Sequence, residues 1–397
     1  MRGLYEDALG VGGHHMDIVY ARESLPTRMT RSLFLAGPTP RSKDVKSWRA
    51  DALAMLQSIE GHVFVPEPRD GKWASDYEGQ IEWEAEALNQ ADVILFWVPR
   101  EMTSMPALTT NDEWGYWKNS GKVVFGAPDD AVHVRYQQHY ADQFKIPSSN
   151  TLLKTMQTAL AKLGSGSLRT GGEVKVPLYV WNLPAFQSWY QAQVGAGNVL
   201  KDASVLWTFR VGKQLDNVFC WALKVEVYIT AEDRIKRNEF VFGRPDISSI
   251  VLWHRGETLA ETEVVLIKEF RSPAKTQDAF IRELPGGSSK KDKPPIVTAV
   301  EELREEANFS IDRSQLVSHG FRQLYGTLSS VGAHVFSTEI DDEELAYFKS
   351  ISGQPHGVVA DTERTFVEVH PVGELVKDPL TDWSTLGIIF SALTVHW

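Results

Sequence analysis

Asp92-Val93-Ile94-Leu95-Phe96-Trp97-Val98 is apolar throughout after its first residue and shows no polar alternation. A run of this length, β-branched and aromatic, reads as a strand buried on both faces, the kind found inside a parallel sheet. Working outward, Leu33-Phe34-Leu35-Ala36 is a second such run, ended by Gly37-Pro38-Thr39-Pro40-Arg41-Ser42. Between the two, helical periodicity over 45–59 and 77–89 flanks the run His62-Val63-Phe64-Val65-Pro66. Beyond them come a helix over 111–119, a strand over 122–126 and a closing helix over 151–163. Short apolar runs alternating with helices predict a doubly wound α/β domain with a parallel sheet.

The chain of 397 residues is too long for one typical core, which predicts two domains. The net charge is −11, and residues 1–165 carry 17 basic against 21 acidic side chains. Neither half has the basic excess needed to neutralise a phosphate backbone, so nucleic acid is excluded as a partner. No apolar run approaches the roughly 18 residues that span a bilayer. With acids and glycines in its first residues, the chain reads as cytoplasmic, with no membrane partner. Cys220 is the single cysteine and lies in an apolar run, so it reads as a buried, inert thiol.

Texture divides the chain further. Residues 1–30 lack periodicity and read as a loosely attached arm, and 31–163 are the α/β domain. Gly164-Ser165-Gly166-Ser167 and Gly171-Gly172 mark a linker over 164–176. Residues 177–397 begin with an amphipathic helix over 184–194. Strands over 205–211, 219–229, 247–253 and 264–270 then precede a strong helix over 296–308, an α+β pattern.

Ligands of open α/β sheets bind beyond the carboxyl ends of the strands. There the turn 37–42 offers Gly37, Thr39, Arg41 and Ser42, a set of amides, hydroxyls and a guanidinium suited to phosphate, although turn chemistry alone also explains Gly and Pro. In Asn111-Asp112-Glu113-Trp114-Gly115-Tyr116, Asn111 reads as an N-cap that puts Glu113 in the first helical turn. The helix dipole would favour an ionised carboxylate there by roughly 0.3–1 kcal/mol. Such a carboxylate can attack an anomeric carbon, and it can equally be a stabilising terminal acid. Trp97, Trp114 and Trp117 read as core packing ahead of a base pocket.

The segments Leu33-Phe34-Leu35-Ala36-Gly37-Pro38, Glu84-Ala85-Glu86-Ala87-Leu88-Asn89-Gln90-Ala91-Asp92 and 111–116, with Ser120-Gly121-Lys122, resemble the nucleoside 2-deoxyribosyltransferase family. That resemblance implies a flavodoxin-like fold, with Glu113 as the nucleophile that takes the deoxyribosyl group. It places Glu84 where the family has a base-contacting aspartate. It also implies nucleoside or nucleotide substrates and a homo-oligomer that completes its sites across subunits. Leu33 stands where many members have tyrosine.

In the helix over 296–308, Glu302, Glu305 and Glu306 fall at i, i+3, i+4 and share a face, opposite Val300, Leu303 and Ala307. Three like charges so placed suit Mg2+ or Mn2+, or simply a solvated face. Glu283-Leu284-Pro285-Gly286-Gly287 upstream resembles the start of a Nudix box, G-x5-E-x7-R-E-U-x-E-E-x-G-U. Gly287, Glu302, Leu303, Glu305, Glu306 and Phe309 match it, while Lys293, Glu301 and Asn308 do not. The resemblance, closest to ADP-ribose pyrophosphatases, implies metal at Glu302, Glu305, Glu306 and the Gly286 backbone, with Glu305 and Glu306 catalytic. It implies substrate contacts at Arg271 and Glu283, and the acidic stretch 339–344 is a candidate source of a general base. Together these readings predict a bifunctional nucleotide-metabolism enzyme: an N-glycosidic activity plus Mg-dependent hydrolysis of a nucleoside diphosphate derivative such as ADP-ribose. The rival is a nucleotide-binding sensor with a non-catalytic second domain.

Overall fold

The computed structural model describes residues 15–42, 44–72, 78–288, 293–357 and 364–396. It divides into two compact units, residues 1–241 and 242–397.

The first unit begins with β1 (Met16–Tyr20), β2 (Arg28–Met29), β3 (Ser32–Ala36), α1 (Arg49–Leu56), β4 (Gly61–Val65), α2 (Glu78–Gln90), β5 (Val93–Trp97) and α3 (Leu108–Trp117). It continues with β6 (Val123–Gly126), α4 (Arg135–Gln143), β7 (Ser148–Ser149), α5 (Leu152–Leu163) and β8 (Arg169–Thr170). After the 3-10 turn Gly171–Lys175 come α6 (Leu178–Trp181), α7 (Pro184–Gly195), β9 (Val199–Val211), β10 (Asn217–Ile229) and β11 (Arg234–Gly243).

The main sheet has the order β1-β4-β3-β5-β6-β7, and every pairing in it is parallel. β3 and β5 are buried along their whole length, as their unbroken apolar runs predict. One core cluster packs Phe34, Ile94 and Phe96 against α2 and α3; the other packs Leu33, Leu35 and Leu95 against α1 and α5. Counted from β3, the strands β4-β3-β5-β6-β7 read 2-1-3-4-5, with the switch point between β3 and β5. Trp97, Trp114 and Trp117 all belong to these cores. The lone thiol of Cys220 is buried and free of any disulfide.

Two divisions read from the sequence are corrected. Residues 1–14 lie outside the described residues, but Met16–Tyr20, inside the expected arm, is an edge strand pairing β4 in register from Met16↔Gly61 to Tyr20↔Val65. The stretch 164–176 is a built part of the first unit. β8 pairs β2, and a capping box joins Thr170 and Glu173. Its glycines serve geometry rather than slack: Gly164 ends α5 at φ +60, and a Cβ on Gly166 would lie 2.8 Å from the Thr30 carbonyl. The boundary between units falls at 241/242, not at 164–176. Residue 77, the predicted start of the second helix, lies outside the described residues.

The second unit contains β12 (Ile247–His254), β13 (Glu263–Phe270), β14 (Phe280–Glu283), β15 (Gly286–Gly287), α8 (Pro295–Ala307), β16 (Val317–Gln323) and β17 (Gly332–Glu339). It ends with α9 (Asp342–Ser350), β18 (Pro355–His356), β19 (Thr365–Pro371), α10 (Val372–Leu375) and α11 (Trp383–Leu393). Its mixed sheet runs β16-β17-β12-β13-β19-β18, with β12 and β17 parallel. α8 and α9 cover one face through Leu303 and Phe348, and α10 and α11 cover the other through Leu375 and Ile389. Among the described residues, no helix is long and apolar enough to cross a membrane.

Candidate functional site

The connections after β3 and β5 diverge at the switch point, where the crevice of an open α/β sheet is expected beyond the carboxyl ends. Gly37 enters it with φ +148, and a Cβ there would sit 2.1 Å from the Trp97 carbonyl oxygen, so only glycine lets the two strand ends close up. Thr39 Oγ1 accepts from Arg49 Nη1 at 3.0 Å. Arg41 and Ser42 are exposed at the rim. The Arg41 amide donates to Ser104 O at 2.9 Å, tying the turn to the loop 101–105. That loop is closed on itself by Glu101, whose carboxylate accepts from the Thr103 and Ser104 amides, which hold it near 2. Ser42 Oγ is engaged locally with Asp44, at 3.3 Å to Oδ2 and 3.1 Å from the amide.

Glu113 departs from expectation. α3 starts at Leu108, because Ala107 takes a left-handed conformation at φ 55. Asn111 therefore lies inside the helix rather than capping it, and its Oδ1 accepts from Arg100 Nη2 at 2.5 Å. Glu113 sits beyond the first turn, where the macrodipole no longer supports its charge. Burial, and after it the charge of Glu84, push its carboxyl up to about 8, against the pull of Arg49. Burial also raises Glu84, which Gln80 Nε2 holds at 2.7 Å and whose ionised form that bond and Arg49 favour. Two carboxyls from α2 and α3 thus share one low-dielectric neighbourhood and resist simultaneous ionisation.

Several residues around the crevice escaped the sequence reading: Arg49, Trp48, Glu67, Gln80 and Arg100. Arg49 left one signal, since Ala52 and Leu56 follow it at i+3 and i+7 on the apolar stripe of its helix, and all three are buried. Arg100 is buried after β5, and its Nη1 donates to His133 O at 2.7 Å.

In the second unit, the Gly286 amide donates to Glu306 Oε2 at 2.9 Å, closing β15 onto α8. A Cβ on Gly287 would stand 2.5 Å from the Glu302 carboxyl carbon, so that carboxyl lies against the strand. Glu306 is buried, Glu302 half-buried and Glu305 exposed. Arg271 Nη2 joins Glu283 at 2.7 Å and Glu269 at 2.9 Å, and the charge of Glu306 reaches it as well. Glu269 was not anticipated from the sequence. In the stretch 339–344, Glu339 pairs with Arg255, Asp341 and Glu344 form the capping box of α9, and Asp342 meets His254. These pairings give four of its acids structural work.

Lys293 and Glu301, two of the departures from the box, touch each other, Nζ to Oε2, at 2.5 Å. Where the box pattern has an acid and then an arginine, this chain has a base and then an acid, and the two attract. The oxygens of Glu302, Glu305, Glu306 and the Gly286 carbonyl suit a hard divalent cation in chemistry. In geometry they do not, since among the described residues no three His, Cys, Asp or Glu side chains converge as a metal-holding group.

A family model described as nucleoside 2-deoxyribosyltransferase like matches residues 30–131. The matched segment spans β3 to the loop after β6 and carries Gly37, Arg49, Glu84 and Glu113. Among curated proteins, none matches the chain.

Proposed function

We propose that the first unit breaks the N-glycosidic bond of a nucleoside or nucleoside monophosphate through a glycosyl ester on Glu113. The proton that Glu113 holds passes to Glu84 once substrate enters; the ionised Glu113 carboxylate then attacks C1′ as the bond to the base nitrogen breaks, and the electron pair leaves with the base. The departing base takes the proton held by Glu84. Water, or the nitrogen of a second base, then attacks C1′ and returns the Glu113 carboxylate. The observation that carries this reading is the charge of Glu84, from α2, acting on the buried Glu113 carboxyl of α3. It keeps one proton on Glu113 that the pair can give up to the departing base. The exposed Arg41 and Ser42 at the rim favour a monophosphate.

Mass-spectrometric analysis of products from nucleosides and their monophosphates tests this. Free base, formed without metal and absent in Glu113→Gln, is expected; base release that persists in Glu113→Gln overturns the assignment.

For the second unit, recognition of a nucleoside diphosphate such as ADP-ribose, and any hydrolysis of it, are carried by the Nudix-box resemblance alone. Glu302, Glu305 and Glu306 would be the residues to hold Mg2+ or Mn2+, although among the described residues they do not converge as a metal-holding group. Metal-dependent nucleoside monophosphate from ADP-ribose, lost in Glu305→Gln, would support hydrolysis. Binding of ADP-ribose without product would favour the sensor reading.

A further inference from the structure

Arg49 stands at the start of α1 and is 1% exposed. A guanidinium keeps its charge at every accessible pH, so burying it requires that its donors be met. Nε donates to Leu35 O at 3.0 Å and Nη2 to Gly37 O at 2.7 Å. Nη1 reaches Thr39 Oγ1 at 3.0 Å, Pro38 O at 3.4 Å and Glu67 Oε1 at 2.6 Å. One planar fork therefore holds the end of β3 and the first residues of the turn that follows, Gly37–Thr39. Its neighbours in sequence reinforce the hold, since Trp48 Nε1 donates to Pro38 O at 3.1 Å and Ser47 Oγ to Glu67 Oε1 at 2.8 Å.

The charge also faces outward from this turn. Glu67, in the loop after β4, touches it directly. Glu84 from α2 and Glu113 from α3 both feel it, and it opposes the burial that raises them. Asp112, the other acid acting on Glu113, works in the opposite sense.

We propose that Arg49 is the positioning residue of the glycosidic site: its buried guanidinium shapes the Gly37–Thr39 turn and supplies the fixed positive charge that lets the Glu84–Glu113 pair ionise for attack. The role rests on the glycosidic reading of Glu113. It is exerted through the turn and through the field, and Arg49 itself need not touch the substrate.

The test is direct titration of the glutamate carboxyls by carbon-13 NMR, assigned with Glu113→Gln and Glu84→Gln, beside the pH profile of kcat/KM. Arg49→Met is expected to move the Glu113 titration up by roughly one pH unit, a tenfold loss of ionised carboxylate at fixed pH below it. Arg49→Lys keeps the charge but not the fork, so the titration stays near wild type while KM rises. Glu67→Gln removes the negative charge that offsets Arg49, so the titration moves down. This opposite sign keeps the proposal open to refutation should Arg49→Met not fold. An unmoved titration in both Arg49→Met and Glu67→Gln, or shifts of the same sign, overturns it. If wild type releases no base while the titrations shift as expected, the glycosidic reading falls and Arg49's hold on the two carboxyls stands.

Discussion

Arg169 lies against both oxygens of Asp92, Nη1 to Oδ1 at 2.8 Å and Nη2 to Oδ2 at 2.6 Å, across 77 residues of sequence. Both side chains are buried. Asp92 also accepts from the Ser32 amide and the Leu178 amide, each at 2.9 Å. One carboxylate at the entry to β5 thereby ties β3, β5, β8 and α6 together.

Removing one partner of a buried, bidentate pair strands the other charge, at a cost of about 3–5 kcal/mol. Arg169→Met should destabilise the first unit by that amount in urea unfolding. Adding Asp92→Asn to it should recover part of the loss, because the buried charge is gone. A cost below about 1 kcal/mol would mean that water reaches Asp92 and meets its needs.

Glu113 contributes a pH dependence of stability with a definite sign. Its folded carboxyl holds a proton up to about 8, whereas the unfolded one releases it near the ordinary 4.5 of a glutamate. Between those values the native state binds more protons, so stability falls as pH rises. Glu113→Gln should therefore raise Tm over wild type at pH 8, and the advantage should close by pH 5. Melting curves at the two pH values decide it.

Gly37→Ala places a Cβ 2.1 Å from the Trp97 carbonyl, at a φ that favours glycine. Backbone on backbone cannot yield as a side-chain tip does. Loss of the proposed base release, with a fall in Tm, is expected. Wild-type behaviour would mean that the ends of β3 and β5 can part without consequence.

Lys293 and Glu301 invite a charge-exchange cycle. Lys293→Glu should lower the Tm of the second unit through repulsion with Glu301, and Lys293→Glu with Glu301→Lys should restore it. No recovery in the double variant would show that the two side chains do not interact in solution. The pair is partly exposed, so high salt should flatten the whole cycle.

The parallel sheet was legible because β3, after Ser32, and β5 are buried on both faces and carry no polar residue to interrupt the pattern. The strong helix of the second unit was legible for a related reason: its apolar positions Leu303 and Ala307 keep helical spacing. What escaped the sequence is what depends on distant partners. Asn111 looks like a cap by its type and place, yet Arg100 claims its side chain and Ala107 begins the helix. Glycines at 164 and 166 look like slack, yet they serve a left-handed turn and a close backbone approach. Glu113 reads from the sequence as an ionised acid of a first helical turn, yet α3 begins earlier and burial, ahead of the charge of Glu84, holds its proton. Arg49 was passed over because a lone arginine in a helix reads as solvent-facing until its acceptors are seen.

The ties on Asp92 also set an order in which the molecule can be completed as it is made. Ribosomal synthesis delivers β3, β5 and the crevice acids well before Arg169 and Leu178. Until these emerge, a carboxylate destined for the interior has only Ser32 to meet it. A polypeptide ended at residue 131, where the family match stops, or at 163, where the closing helix ends, is expected to remain loosely packed and protease-sensitive around β5. The piece that can stand alone reaches at least to α6. Fragments for solution work should therefore be cut beyond it, as limited proteolysis of the nascent lengths can verify.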